Sequence, residues 1–336
     1  MVIDCGRERA LSERERQLEA RALWFPEAGR ALLREERLRR PGTDEALVET
    51  LFTGVSRGTE SLVFHGRVPE SERERMRGPN MAGDFPFPVK YGYAAVGRIA
   101  EGPDGSVGRL VFCLHPHQDR FVAPAAMLSP LPGDLPPERA VLAANMETAL
   151  NIVWDAGIQP GDTVAVFGAG TVGALVAFLA SSIPATETTL IDPNENRAAL
   201  AEKLGLAFAN GNYEGPFDVA VNASGSDKAL GAAIAAAGQE ARIVEASWHG
   251  SGDAAIPLGG PFHARRLAIV SSQVGSLPPS HRARWTFARR MGKALQLLAD
   301  ARLDALISGD TSFEEIEAAY SGILSSPDTL CHRIRY

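Results

Sequence analysis

The stretch TVAVFGAGTVGALVAFL, residues 163–179, places Gly168, Gly170 and Gly173 between a β-branched apolar run and a helical pattern. This is G-x-G-x-x-G spacing in the context the motif requires, a strand feeding a helix. The first glycine permits the tight turn, the second lets a pyrophosphate approach the backbone, and the third lets helix pack against strand. The amides that open the helix, at Thr171, Val172 and Gly173, favour phosphate together with the helix dipole. The next strand pattern, TTLID, ends at Asp192, where a carboxylate can accept both ribose hydroxyls and would repel a 2′-phosphate. The expected cofactor is therefore NAD(H), with NADP(H) second. Arg197 qualifies that choice, because an arginine there could stack on adenine or meet a phosphate. The alternative is a glycine turn in a sheet with no ligand.

Outward from this turn, strand and helix patterns alternate from Pro136 to about residue 272. That alternation predicts a doubly wound parallel sheet of Rossmann type, covered on both faces. Ligands of such sheets sit beyond the carboxyl ends of the strands. The strand ends VNASG (221–225), EASW (245–248) and SSQVG (271–275) accordingly nominate Ala223, Ser224, Ser247 and Ser272 as cofactor contacts, against ordinary loop chemistry. Before Pro136 the texture differs: short apolar runs punctuated by glycine and proline predict a small, mostly β domain. The tail returns to helix at 284–301 and 312–326, then to a strand at LCHRIRY, 330–336. The expected organisation is an N-terminal extension over 1–18, a β-rich domain from 19–138 and 297–336, and a nucleotide domain over 139–296.

Bulk properties narrow the function. A chain of 336 residues exceeds one ordinary core, so two domains are expected. Its net charge of −7 argues against a general nucleic-acid surface. Arginine-dense runs at 30–40 and 72–77 are interrupted by glutamates and read as solvated faces. Three widely spaced cysteines, Cys5, Cys113 and Cys331, suggest neither a disulfide framework nor a metal knuckle, and a reducing cytoplasm fits them. No secretory signal and no membrane span are expected from the pattern.

The segments 21–56, 157–177 (GIQPGDTVAVFGAGTVGALVA) and 295–323 together resemble the medium-chain dehydrogenase/reductase superfamily, the zinc alcohol dehydrogenase and quinone reductase group. The resemblance implies a GroES-like catalytic domain, a nucleotide domain, and an active site in the cleft between them. It also implies a homodimer joined through an edge strand, with RRLAIVSSQV as the candidate edge. The chain departs from the family at the catalytic zinc. Where zinc-bearing members place cysteine, GVSRGTE has Ser56; where they place histidine and glutamate, KYGYAAVG has Tyr93 and Ala94. In ANMETAL the family's helix-start threonine falls on Thr148, near the nicotinamide, and the third ligand position falls on Ala144. These are poor ligands for a metal that wants thiolate, imidazole or carboxylate, and no zinc is expected.

With no zinc, an organic donor must steady the reacting oxygen. Tyr93 leads, since its phenol can donate; the alternative is a packed aromatic whose hydroxyl is satisfied locally. Ser56 could orient substrate or relay a proton, Glu60 could orient a neighbour, and Glu147 stands second in rank. CLHPHQD, 113–119, replaces the family's structural-zinc lobe. On a strand, His115 and His117 would face one side. They are read as a cleft-lining acid–base pair, as an alternative metal site with Glu60, or as neither; His65 joins them only if the loop after it folds back. The long segment 65–93 is expected to order over the cleft mouth, its Arg73, Arg75 and Arg77 facing an anionic substrate or only solvent. The overall expectation is a hydride-transfer enzyme interconverting an alcohol and a carbonyl on a small molecule. An enone or quinone reductase and a non-catalytic NAD(H)-binding sensor are the alternatives.

Overall fold

A computed structural model describes residues 17–211 and 213–336, which fall into two compact units, 17–141 with 309–336, and 142–308. The sequence expectation put the crossings at 138/139 and 296/297. The expected extension, apart from residues 17 and 18, lies outside the described residues, as does Cys5. Residues 17 and 18 open the first strand.

In the first unit, β1 (Gln17–Glu27) and β2 (Arg30–Arg39) form an antiparallel ladder. Strand β3 (Glu45–Ser56) runs directly into helix α1 (Arg57–Phe64). The expected loop over 65–93 contains two short strands, β4 (Ala82–Gly83) and β5 (Val89–Lys90), and β5 extends the sheet of β1. Its arginines pair locally: Arg73 with Glu70, Arg75 with Glu72, and Arg77 with Asp84. Strands β6 (Ala95–Glu101), β7 (Leu110–Cys113), β8 (Arg120–Pro124) and β9 (Ser129–Pro130) follow, and a short helix α2 (Pro137–Ala140) ends this part. Strand β3 pairs with β8 through its first half and with β6 along its length. The core here is Ala46, Val48, Ala95, Ile99, Val111, Phe121 and their neighbours.

The second unit opens with α3 (Ala143–Ala156), ended by Gly157 in the left-handed region at φ 67°. Thr148 therefore lies inside a helix rather than at its start. The parallel sheet follows: β10 (Thr163–Phe167), α4 (Thr171–Ser181), β11 (Glu187–Ile191), α5 (Arg197–Leu204), β12 (Ala207–Ala209), β13 (Phe217–Asn222), α6 (Asp227–Ala236) and β14 (Ala237–Glu245). A short α7 (Pro261–Ala264), then β15 (Ala268–Ser271) and α8 (Phe287–Leu297) complete it. The order β12-β11-β10-β13-β14-β15, parallel throughout, is the doubly wound arrangement expected of the alternating pattern. Helix α4 is apolar nearly all round because it is buried nearly all round, from Gly173 to Ala180.

The chain then adds β16 (Ile307–Ser312), α9 (Ile316–Ser325) and β17 (Cys331–Arg335). Strand β17 pairs antiparallel with the second half of β3, on the edge whose first half holds β8, giving a sheet in the order β16-β17-β3-β6-β7-β9. No helix among the described residues is long and apolar enough to cross a membrane.

The two histidines of CLHPHQD do not share a strand face. They lie on the connection between β7 and β8, because Pro116 between them removes a ladder donor. His115 stacks on Phe121, ring centroids 3.9 Å apart, and its Nδ1 meets Pro116 O at 3.0 Å. Burial in this apolar setting depresses its pKa to about 3.

Two tests follow from this packing. A Cβ at Gly173 would lie 1.9 Å from Gly168 O, whereas one at Gly170 meets nothing within 4 Å. Gly173→Ala should cost the second unit about 3 kcal/mol in chemical denaturation, and Gly170→Ala should change it by less than about 0.5 kcal/mol. For His115, the unfolded ring takes its proton near 6.5 and the folded ring only near 3. Between those values the unfolded chain binds more protons, so stability falls as pH drops. Urea unfolding of the native protein should show a loss of about 2 kcal/mol from this group between pH 7 and pH 5, which His115→Phe removes.

Candidate active site

In the second unit the glycine turn joins β10 to α4. Gly168 has φ +101°, a conformation only glycine adopts readily, and a Cβ there would sit 2.7 Å from Ser224 Cα. Gly168 N donates to Ile191 O, and Ala223 N to Phe167 O, each at 2.8 Å, which clamps the turn between the neighbouring strands. Gly170 faces open space, and α4 carries no side-chain cap. The first amides of the helix, at Thr171, Val172 and Gly173, thus have no intrahelical acceptor, and the space beside Gly170 is open. Free helix-start amides beside an open glycine are groups that could hold a diphosphate.

Asp192 stands just past β11. One carboxylate oxygen accepts from Ala169 N at 2.7 Å and the other from Asn194 N at 2.8 Å. Those bonds fix the carboxylate and leave lone pairs on both oxygens for a diol. Arg197 is buried at the start of α5. Ser224 Oγ donates to Asn222 Oδ1 at 2.6 Å, and Ser247 Oγ accepts from Gly225 N at 2.9 Å. Two residues not singled out in the sequence hold this edge together: Asn222 is fully buried, and its amide donates to Glu245 Oε2 at 2.6 Å. Both lie within the strand ends quoted above. Ser272 Oγ donates to Asp155 Oδ2 at 2.7 Å, and Thr148 Oγ1 donates back along its helix to Ala144 O at 2.9 Å. Glu147 pairs with the buried Arg290 at 3.1 Å; burial raises its pKa against that pairing.

In the first unit the structure brings Ser56, Glu60, Tyr93 and His117 together. Glu60 lies in the first turn of α1 with no exposed surface. Its Oε1 accepts from Ser56 N at 2.7 Å, and its Oε2 meets His117 Nε2 at 2.9 Å and accepts from the Tyr320 hydroxyl. His117 Nδ1 meets Thr53 Oγ1 at 2.7 Å, and Thr53 Oγ1 meets the Tyr336 hydroxyl at 3.1 Å. Tyr93 is hydrogen-bonded to the Ser56 and Thr59 side chains; burial, then the Glu60 charge, push its phenol up to about 12. Thr53, Thr59, Tyr320 and Tyr336 were not predicted. Tyr320 sits in a helical pattern that reads as core, 260 residues from Glu60, so no local signal marks it. His115 and His65 stand apart: His115 faces Phe121, and His65 bonds Ser61 on its own helix.

The family's zinc positions can be tested against this chemistry. Ser56 and Tyr93 are neutral hydroxyls engaged with one another, and Ala144 has no donor atom. Both nitrogens of His117 are occupied, so the alternative site of His115, His117 and Glu60 is not assembled either. Among the described residues no three histidine, cysteine or carboxylate side chains gather to hold a metal. These residues do not fit a catalytic zinc.

No family model matches the chain. Among curated proteins, scyllo-inosose 3-dehydrogenase of Thermotoga maritima is 29% identical over 202 residues, 53% of this chain and 49% of that protein. The aliphatic (R)-hydroxynitrile lyase of Linum usitatissimum is 37% identical over 71 residues, 21% of this chain and 17% of that protein. The chain thus spans about half or less of the curated relatives it matches. Solved structures agree over far more of its length. L-idonate 5-dehydrogenase of Escherichia coli superposes with a TM-score of 0.78 at 14% identity, covering 95% of this chain and 99% of that one. A short chain alcohol dehydrogenase of Escherichia coli CFT073, complexed with NADH, gives 0.76 at 16% identity, covering 95% and 99%. The chain shares the fold of these alcohol dehydrogenase-like structures.

Proposed function

We propose that the protein is an NAD(H)-dependent oxidoreductase of the alcohol dehydrogenase type that works without a catalytic zinc, reducing a small-molecule carbonyl with Tyr93 holding the reacting oxygen. The observation that carries this is the state of Tyr93: a half-buried phenol at a family ligand position, fixed by the hydroxyls of Ser56 and Thr59 and pushed up to about 12. The glycine turn, the uncapped start of α4 and the fixed Asp192 support a nicotinamide dinucleotide with free ribose hydroxyls. Such a cofactor, when bound, supplies the hydride to the substrate carbon. The relatives named as dehydrogenases, one of them bound to NADH, support the same class of reaction.

The chain's own residues handle the oxygen. As hydride arrives at carbon, charge grows on oxygen, and a donor aimed there stabilises the transition state. Tyr93 donates a hydrogen bond and then its proton. An alkoxide is a stronger base than a phenolate, even for a phenol pushed up to about 12, so transfer runs downhill toward the alcohol. The reverse reaction would need the phenolate as base, which burial and Glu60 both oppose. Ser56 and Thr59, both partly exposed, are placed to relay a proton from solvent to the phenolate.

Tyr93→Phe should lower kcat/KM for NADH-dependent carbonyl reduction about 100-fold, with NADH binding, read by cofactor fluorescence, unchanged. Full activity in that variant, or one zinc per chain whose removal abolishes turnover, would sink the reading. Asp192→Asn should weaken NADH binding about tenfold and narrow the preference over NADPH. Gly170→Ala, spared in the fold, should weaken both cofactors.

A further inference from the structure

Two stretches that the sites above leave unused, the arginine-dense run 30–40 and the first histidine of CLHPHQD, meet at a cavity of about 320 Å³ within the β-rich unit. That volume lies in the range of small-molecule sites, about 300–1,000 Å³. Arg37, Arg39, Lys90, His115 and Gln118 supply its polar wall, and Leu38, Phe121 and Val122 its apolar one. Gln118 is only 1% exposed. Lys90 Nζ, which can only donate, gives hydrogen bonds to Glu36 Oε2 at 2.7 Å and to Gln118 Oε1 at 2.8 Å. The amide oxygen must therefore face the ammonium. Gln118 Nε2 is then a buried donor with no acceptor among the described residues. Turning the amide over would set its N–H groups against Lys90. Buried donors are rarely left in that state.

His115 offers the complementary group. Its Nδ1 donates to Pro116 O at 3.0 Å, since a carbonyl only accepts, and burial keeps the ring neutral. Nε2 is then a bare acceptor, and no donor among the described residues meets it. The charges point the same way. Arg39 is paired with Glu45 and Lys90 with Glu36, whereas Arg37 has no ion pair among the described residues. No carboxylate stands in the cavity wall. One positive charge is thus left over, beside one open donor and one open acceptor.

We propose that this cavity binds a short hydroxycarboxylate, with its carboxylate on Arg37, its hydroxyl between Gln118 Nε2 and His115 Nε2, and its carbon chain against Leu38, Phe121 and Val122. A hydroxyl accepts one hydrogen bond and donates another, so it closes both open groups at once. A guanidinium fork matches a carboxylate in shape as well as charge. Water can close the same pair, but it brings no charge to Arg37 and no carbon to the apolar wall. Tyr93 is not among the lining residues, and the site stands or falls independently of the carbonyl-reductase reading.

The test is nitrogen-15 NMR of the full-length protein with labelled histidine and no cofactor, His115 being assigned by its loss in His115→Phe. At pH 7 the free protein should show a protonated Nδ1 and a bare Nε2; hydrogen on Nε2 overturns the proposal. Added racemic lactate should move the Nε2 resonance, saturably, toward that of a hydrogen-bonded nitrogen. Propionate lacks the hydroxyl and propane-1,2-diol lacks the charge. Each should need about tenfold more to displace lactate. Arg37 is exposed, so Arg37→Ala leaves the core intact and should weaken lactate binding about tenfold. Gln118→Glu keeps an acceptor for Lys90 but removes the donor and adds a like charge, and it should abolish the shift. Tyr93→Phe should leave the titration unchanged; a titration that moves with Tyr93 places lactate elsewhere and overturns the site. So does the absence of a saturable shift, which is the outcome if only water fills the cavity. Equal competition by the three compounds, or full lactate affinity in Arg37→Ala, overturns it as well.

Discussion

A carboxylate with no access to water, Glu60, is the constraint around which the β-rich unit closes. Burying an ionised group is costly unless hydrogen bonds replace its solvent. Glu60 finds its donors in three separate parts of the chain: the Ser56 amide at the end of β3, the imidazole of His117 between β7 and β8, and the Tyr320 hydroxyl on α9. Only the first is local. The last fastens the returning C-terminal segment to the first half of the unit, and Tyr320 adds ring contacts to Phe25 and Phe64 with centroids 5.1 and 5.3 Å away. The same side chain thus answers a charge at its tip and fills an apolar core with its ring. Loss of that tip would strand a buried anion, so the polar centre and the core cannot be altered independently.

The nucleotide unit is built on backbone shape instead. Between β10 and α4 the chain must turn within a few residues while strand and helix nearly touch. A Cβ at Gly168 would collide with the backbone of Ser224, and one at Gly173 with the carbonyl of Gly168. Gly170 is different in kind: nothing in the protein occupies the space its missing side chain leaves. Two of the three glycines therefore answer to folding, and the third answers to whatever approaches the turn. The carboxylate of Asp192, tied back to Ala169 at the same turn, fixes the acidic end of that space.

This contrast explains what could be read from the sequence. The turn, the parallel sheet and the polar strand ends are local in the chain, and their spacing announces them. The β-rich unit gave up its strand pattern but not its polar centre. Ser56, Glu60, Tyr93 and His117 stood out because they occupy or adjoin positions with a known role in similar proteins. Thr53 and Tyr336 lie on β3 and just past β17, paired across a sheet whose register no short pattern encodes. The histidine pair misled because alternation implies a common face only on a strand, and Pro116 takes both residues off one. Thr148 misled in a related way: the helix begins at Ala143, ahead of any capping residue that would mark its start.

On the proposed reading, replacing a metal by a phenol changes more than the identity of the group that holds the oxygen. A Lewis acid polarises a carbonyl and stabilises an alkoxide without a proton of its own, so it serves either direction. A phenol does so only by lending its proton, and its willingness to part with it is set by surroundings. Desolvation acts first on Tyr93 and the field of Glu60 second, and both keep the proton in place until a stronger base appears. The base that meets this condition is the alkoxide formed by hydride delivery. The acidity of the group that holds the oxygen is then set by the packing of the β-rich unit, through the burial of Tyr93 and the charge of Glu60.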